Sequence, residues 1–191
     1  MRADAQANRE AIIKASHRLF QKDGIDVTFR AIAEAAGVGV ATVHRNFPDR
    51  WSLIMAVGQY SYDRHCAIIA KYDERWEADP WETWTDLVVE LVEQGIGPLS
   101  EQISMYAERE ELVDQFAEVV RNRDMAPIEK LLQRATHYGF VAEGLHPRRF
   151  VMTIGVLSRH LTSLAQDIMP DHQRWMTHLV LKGLAQSANS E

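Results

Sequence analysis

The chain has 191 residues, 46% of them hydrophobic, a formal net charge of −6 and a single cysteine, Cys66. This length accommodates one or two domains with a real core, one thiol excludes an intrachain disulfide framework and any multi-cysteine metal site, and no apolar run reaches the length of a membrane span. The opening MRADAQANRE has no apolar secretory core, so a cytoplasmic protein with no membrane partner is expected.

Helical periodicity dominates and strand alternation is nearly absent, which predicts an all-α fold of about nine helices. The first runs from about Asn8, its N-cap, to Asp23, with Ile12, Ile13, Leu19 and Phe20 on one face and Gly24 as the stop. Thr28 caps a short second helix with Phe29, Ile32, Ala33 and Ala36 inward. The third runs from about Val40 to Phe47, where Pro48 forbids simple continuation. Asp49 caps a long fourth helix reaching about Tyr72. Pro80 opens a fifth, to about Gln94, which Gly95-Ile96-Gly97-Pro98 ends. A short helix over about Leu99–Ala107 follows, then a longer one over Glu111–Tyr138, bent at Pro127. Residues 139–146 form a loop, Pro147 starts a helix to about Gln166, and Asp171 starts the last, to about Ala188.

The stretch AGVGVATVHRNF, Ala36 to Phe47, breaks the helical pattern at Gly37-Val38-Gly39 and restarts it at once. Two short helices around a three-residue glycine break form a helix-turn-helix unit. Small Ala33 lets the second element approach, Gly37 takes a backbone conformation that a Cβ would oppose, Val38 plugs the elbow, and Val43 and Phe47 pack inward at i and i+4. The plainer alternative is a helical hairpin whose polar face meets only water. A major groove admits one helix, and its bases are read by short polar or cationic side chains and methyl contacts. Charge permits this use of the first quarter: residues 1–50 hold eight Lys/Arg and six Asp/Glu, a net of +2, which leaves −8 for the remainder.

Residues from about Arg9 to Val57, IIKASHRLFQKDGIDVTFRAIAEAAGVGVATVHRNFPDRWSLIMAV at their centre, resemble the DNA-binding head of the tetracycline-repressor-like (TetR) family of transcriptional regulators. The ordered set carries the resemblance: a helix ending in Leu-Phe, a glycine, a Thr-capped helix with Ile-Ala-x-x-Ala-Gly-Val, a recognition helix ending in an aromatic, and a basic residue after it. The chain departs from the family's frequent Ser-x-Gly-Thr-Leu-Tyr with Gly39-Val40-Ala41-Thr42-Val43-His44. Gly39 offers no side-chain oxygen as a cap, and His44 stands where a tyrosine often touches phosphate. The resemblance implies a helix-turn-helix domain over residues 1–50, motif about 28–47, and a ligand-binding and dimerisation domain over 51–191.

With it come site expectations. Thr28, Thr42, His44 and Arg50 position phosphates, and Gly39 and Ala41 let the backbone come near them. Val40, Arg45 and Asn46 face base edges, with Arg30 near the groove rim, and Arg45 holds either a base or a phosphate. A small-molecule effector is implied among the middle helices. Tyr62, Cys66, Trp84, Met105, Tyr106, Phe116, Met125 and Met152 supply aromatic and methionine lining for it, or else ordinary core. The fourth helix has Leu53, Ile54 and Val57 early, to pack under the head, and Tyr62, Cys66 and Ile69 later, to face the body.

The last two helices carry wide apolar faces. Phe150, Ile154, Leu157, Leu161 and Leu164 line one, and Met176, Leu179, Val180, Gly183 and Leu184 the other, with Gly155 and Gly183 permitting close helix approach. Two such helices per chain suit a four-helix homodimer interface, the alternative being burial within one protomer. Histidines 65, 137, 146, 160, 172 and 178 form no ligand-type spacing with a third donor, so no metal and no cofactor is expected, though His137 or His160 could orient a ligand. No phosphate loop, nucleophile elbow or zinc-protease helix is present, so no enzyme is expected. The expectation is a ligand-responsive regulator, a repressor with an activator as the alternative, that binds a near-palindromic double-stranded operator as a homodimer.

Overall fold

A computed structural model of the chain describes residues 2–159 and 161–185, and its regular elements are all helices. In order these are α1 (Arg2–Asp23), α2 (Phe29–Ala36), α3 (Val40–Asn46), α4 (Arg50–Lys71), α5 (Pro80–Glu93), α6 (Ile96–Arg109), α7 (Val113–Arg121), α8 (Ala126–His137), α9 (Pro147–Leu157), α10 (Ser163–Ile168) and α11 (His172–Leu184). Eleven helices among the described residues exceed the nine expected because two long ones are each broken. Asp124 Oδ1 accepts from the Ala126 N–H at 2.9 Å, and Pro127 sits in the first turn of α8, so the chain restarts there rather than bends. Between α9 and α10 the side chains compete with the helix: Ser158 Oγ donates to the Gly155 carbonyl at 3.0 Å, and Thr162 caps α10 by accepting from the Ala165 N–H at 3.3 Å.

Other boundaries differ at the ends. Asn8 lies inside α1, which begins at Arg2, because Ala, Arg and Gln in that run favour helix. The break expected over residues 95–98 is confined to Gln94-Gly95, with Gly95 at φ 72°, and Pro98 is absorbed in the first turn of α6, where its missing N–H costs nothing. The end of the last helix at Ala188 lies outside the described residues, as does His160.

The chain forms two compact units. One comprises the residues up to Asp63 together with Leu99–Phe116; the other comprises Arg64–Pro98 and the residues from Ala117 on. In the first, Ile12 and Phe20 of α1, Ile32 of α2, Val43 and Phe47 around α3, and Leu53, Ile54 and Val57 of α4 are wholly buried, and Leu99, Ile103 and Tyr106 of α6 join them. Each such side chain contributes about 1.5–3 kcal/mol by leaving water. The early apolar set of α4 therefore packs under the head as its spacing suggests. Of the later set, Tyr62 belongs to the same unit, while Ile69 sits in the core of the second and Cys66 is half-buried there.

The second unit packs α5, α8, α9 and α11 around Trp84, Leu87, Leu131, Phe150 and Leu181. Its edge carries a polar cluster. Lys71 Nζ meets Glu90 at 2.7 Å, and the Tyr72 hydroxyl donates to Glu90 Oε2 at 2.8 Å. Burial, with Glu90 beside it, pushes the Tyr72 phenol from its ordinary 10.0 up to about 12, while the Lys71 hydrogen bond holds Glu90 below the usual carboxylate range. A phenol whose pKa is raised in the folded state stabilises it fully below pH 10, and that contribution is lost as pH rises through about 12. Tyr72→Phe is therefore expected to flatten the loss of stability over that alkaline window in pH-dependent denaturation. Near neutrality the same change costs about 1 kcal/mol for the lost hydrogen bond.

Among the described residues no helix is long and apolar enough to cross a membrane, and no group of three or more His, Cys, Asp or Glu is placed to hold a metal ion.

Candidate nucleic-acid interface

The elbow is built as its residues require. Thr28 Oγ1 accepts from the Ala31 N–H at 3.2 Å, which caps α2. Gly37 ends α2 in the left-handed region, at φ 68° and ψ 30°, and the Val38 N–H returns to the Ala33 carbonyl at 3.0 Å. Gly39 opens α3 with its carbonyl, which accepts from Thr42 N–H at 2.8 Å, and provides no side-chain cap. Val43 and Phe47 are fully buried and Val38 packs at the margin of the same core.

That inward anchor leaves a polar face on α3. His44 and Arg45 are exposed with Ala41, Val40 is 39% exposed, and Thr42 and Asn46 are half-buried. Thr42 sits between its two neighbours one turn on. Arg45 Nη2 donates to Thr42 Oγ1 at 3.1 Å, and Asn46 Nδ2 donates to the Thr42 carbonyl at 2.8 Å. The His44 ring lies 5.0 Å from that of Phe29. Both basic residues lie in the last turn of α3, where they complement the negative end of the helix dipole.

Arginines hold this assembly from outside it. Arg50 Nη1 donates to the Ile25 carbonyl at 2.8 Å, and its guanidinium lies 5.3 Å from the Phe29 ring centre. Arg109 of α6 grips both oxygens of Asp26, at 2.8 and 3.1 Å, in the loop that leads to Thr28. That hydrogen bonding holds the Asp26 carboxyl below its usual range and pushes Arg109 up. Arg9 of α1 donates to the Asn46 carbonyl at 3.1 Å and covers the Phe47 ring at 4.3 Å. Sequence reading overlooks Arg9, Asp26 and Arg109, because their partners lie 37 and 83 residues away and no local period links them. Arg30 is exposed on α2.

In the second unit the expected ligand-lining residues are dispersed. Cys66 lines a cavity of about 390 Å³ with Ile69, Ala70, Asp73, Lys130, Leu131 and Arg134 among its walls. Trp84 is fully buried and stacked on Phe150 at 5.8 Å, and Met125 packs against the same core. Met152 is 72% exposed and lines a separate groove. Tyr62, Met105, Tyr106 and Phe116 belong to the first unit, where Met105 is exposed, Tyr62 and Tyr106 are buried, and Phe116 meets the Trp51 ring at 6.3 Å. His137 is exposed beside Tyr138.

The expected dimer residues divide by face. Phe150 and Ile154 point into the unit's own core, whereas Leu164, Leu179 and Gly183 are exposed and Leu161 is half-buried. Leu157, Met176 and Val180 line, with Met152 and Val156, a groove of about 680 Å³ between α9 and α11. The close approach at Gly155 is made possible by Gly97, at the start of α6 in the same unit, where a Cβ would overlap the Gly155 carbonyl; a Cβ on Gly155 itself would meet only an ordinary contact.

An all-helical chain with a glycine-elbowed pair of short helices, the second exposing a polar and cationic face, has the architecture of the helix-turn-helix class of DNA-binding proteins. Residues 12–57 match the model of the bacterial regulatory proteins of the tetR family, and the match covers the helix-turn-helix head described above. It is 36% identical over 64 residues to an HTH-type transcriptional regulator of Staphylococcus aureus, a match that covers 33% of this chain and 35% of that protein. The chain thus spans about a third of the length of the curated relatives it matches. Among solved structures it is similar to a TetR transcription regulatory protein from Mycobacterium vanbaalenii, with 23% identity, TM-score 0.61 and coverage of 96% and 98% of the two chains. It is also similar to the multidrug binding protein EbrR complexed with imidazole, with 18% identity, TM-score 0.54 and coverage of 92% and 88%. These two likenesses show the fold.

Proposed function

We propose that the protein is a homodimeric, ligand-responsive repressor that binds a near-palindromic operator through α3 and is released by a small-molecule effector. The observation that carries the reading is the exposed Val40–Ala41–His44–Arg45 face of α3, standing on the buried Val43 and Phe47 anchors. Arg45 and Asn46 read base edges, helped by Val40, and Thr42, His44, Thr28 and Arg50 meet phosphates. Arg50 spends one Nη on Ile25, and its remaining donors stay available to a phosphate.

A second copy covers the apolar face of α9 and α11. Met152 and Val156 of α9, Leu164, Ile168 and Met169 in and just after α10, and Trp175 and Leu179 of α11 are all at least half exposed, a density that isolated surface residues do not reach. A near-palindromic operator offers the two α3 helices of such a pair successive major grooves about 34–36 Å apart. An apolar or aromatic effector suits the Cys66–Leu131 cavity, whose volume falls within the usual range for ligand sites, and the fold shared with a multidrug-binding protein supports that class. The effector acts only through its differential affinity for the two states; a hundredfold preference shifts the equilibrium by about 2.7 kcal/mol. In this reading the protein acts in the cytoplasm by binding, without catalysis.

Selection of bound duplexes from a random pool, followed by Arg45→Ala, tests the reading. Wild-type protein is expected to enrich a near-palindrome, with affinity falling steeply as salt rises. The variant is expected to lose about 1–3 kcal/mol on that duplex. A loss confined to one base position assigns Arg45 to a base; an even loss with a salt slope smaller by about 0.9 assigns it to a phosphate. Enrichment of no sequence by the wild type refutes the proposal.

A further inference from the structure

Helix α3 has seven residues, about two turns, and an isolated helix that short has almost no stability of its own. Its N-terminal end is closed by Gly39 without a side-chain bond. On its inward side the fully buried side chains are Val43 and, at its C-cap, Phe47. The C-terminal end is different. There the Arg9 guanidinium lies 4.3 Å from the centre of the Phe47 ring, and its Nη1 donates to the Asn46 carbonyl at 3.1 Å.

Each feature of that contact acts on orientation. The Asn46 carbonyl is one of the last four in α3, which no intrahelical N–H can satisfy. A cation placed there satisfies it and complements the helix dipole. The planar guanidinium also clamps the Phe47 ring from above, while the ring's own burial holds it from below. Asn46 is at the same time bound back to the Thr42 carbonyl through Nδ2, and Arg45 to Thr42 Oγ1, so the polar residues of the face share the frame that Arg9 holds.

We infer that Arg9 is a positioning residue for sequence readout: it fixes the tilt and rotation of the recognition helix from α1, and it does so without touching DNA. The inference rests on the assignment of α3 as the DNA-reading element. Arg9 thus serves selectivity, not general attraction for phosphate, although it is a cation in the basic quarter of the chain.

The test uses the full chain, a duplex enriched by the wild-type protein and an unrelated duplex, with affinities measured between about 50 and 200 mM salt. Arg9→Ala is expected to lose about tenfold or more on the selected duplex and less than about twofold on the unrelated one, with an unchanged salt slope. Arg9→Lys keeps the charge but not the planar fork, and is expected to lose about threefold or more of the selected affinity. Should the alanine variant fail to fold, the lysine variant supplies the same comparison. Equal losses on both duplexes, with a slope smaller by about 0.9, would make Arg9 a phosphate contact and overturn the inference. So would wild-type selectivity in either variant, or a lowered melting temperature with the ratio of selected to unrelated affinity intact. Wild-type protein that selects no duplex fails the DNA-reading assignment itself; selective wild-type protein with unaffected variants fails only the role of Arg9.

Discussion

Phe47→Ala is expected to unfold the reading head under conditions in which the native chain is stable. Phe47 is fully buried, ends α3 as its C-cap with its N–H on the Val43 carbonyl at 2.8 Å, and is the ring that Arg9 covers. Truncating a buried phenylalanine costs about 3–5 kcal/mol in lost transfer energy and cavity formation. That is a large share of the roughly 5–15 kcal/mol by which folded proteins exceed their unfolded states. Hydrogen exchange at the amides of α2 and α3 should accelerate by at least two orders of magnitude, and selective DNA binding should disappear. Phe47→Leu, which keeps most of the volume, should retain most of the protection. A variant with alanine at this position, protected amides and intact binding would mean that α3 does not depend on its buried ring.

Gly97→Ala carries the second large effect, in the other compact unit. A Cβ on Gly97 would overlap the Gly155 carbonyl oxygen and lie 2.7 Å from Ser158 Oγ. The Gly97 N–H meanwhile donates to that same Oγ at 2.9 Å, so the α6 start and α9 cannot separate without losing the bond. Overpacking against backbone typically costs about 1–3 kcal/mol and more where nothing can yield; about 3 kcal/mol or more is expected here, read as a fall in the denaturation midpoint. Gly155→Ala provides the contrast. Its Cβ would stand 3.8 Å from the Gly97 Cα, an ordinary contact, and alanine inside a helix gains up to about 1 kcal/mol over glycine. Equal destabilisation by the two changes would refute this packing.

Gly97 also marks a limit of sequence reading. Gly-Ile-Gly-Pro at residues 95–98 reads as a helix break, because glycine and proline are usually punctuation. Only Gly95 takes a left-handed conformation; Gly97 is there because Gly155 and Ser158, 58 and 61 residues further on, leave no room for a side chain. The two unexpected breaks, before α8 and after α9, have a related cause. Asp124, Ser158 and Thr162 satisfy backbone groups locally, and the apolar period alone does not register that competition. By contrast the elbow was legible, since Thr28, Gly37, Val43 and Phe47 each answer to a rule acting over four residues or fewer.

The effector-lining set was less legible. Aromatic and methionine residues serve a core and a cavity equally well, and Trp84, buried against Phe150, stands in the core while Met152 stands outside it. Periodicity identified the apolar face of α9 but not its direction; Phe150 and Ile154 turn inward and Met152 and Val156 outward, one residue pair apart on the same helix.

Helical content, the capped and glycine-turned head and its polar third helix follow from residues near one another in the chain, because backbone conformation, capping and a 3.6-residue period are short-range physics. The clamps of Arg9 on Asn46 and Arg109 on Asp26, the bare approach of Gly97 to Gly155 and the choice of which apolar face is buried come from folding alone. Each joins residues tens of positions apart, and their pairing depends on packing that no local pattern encodes.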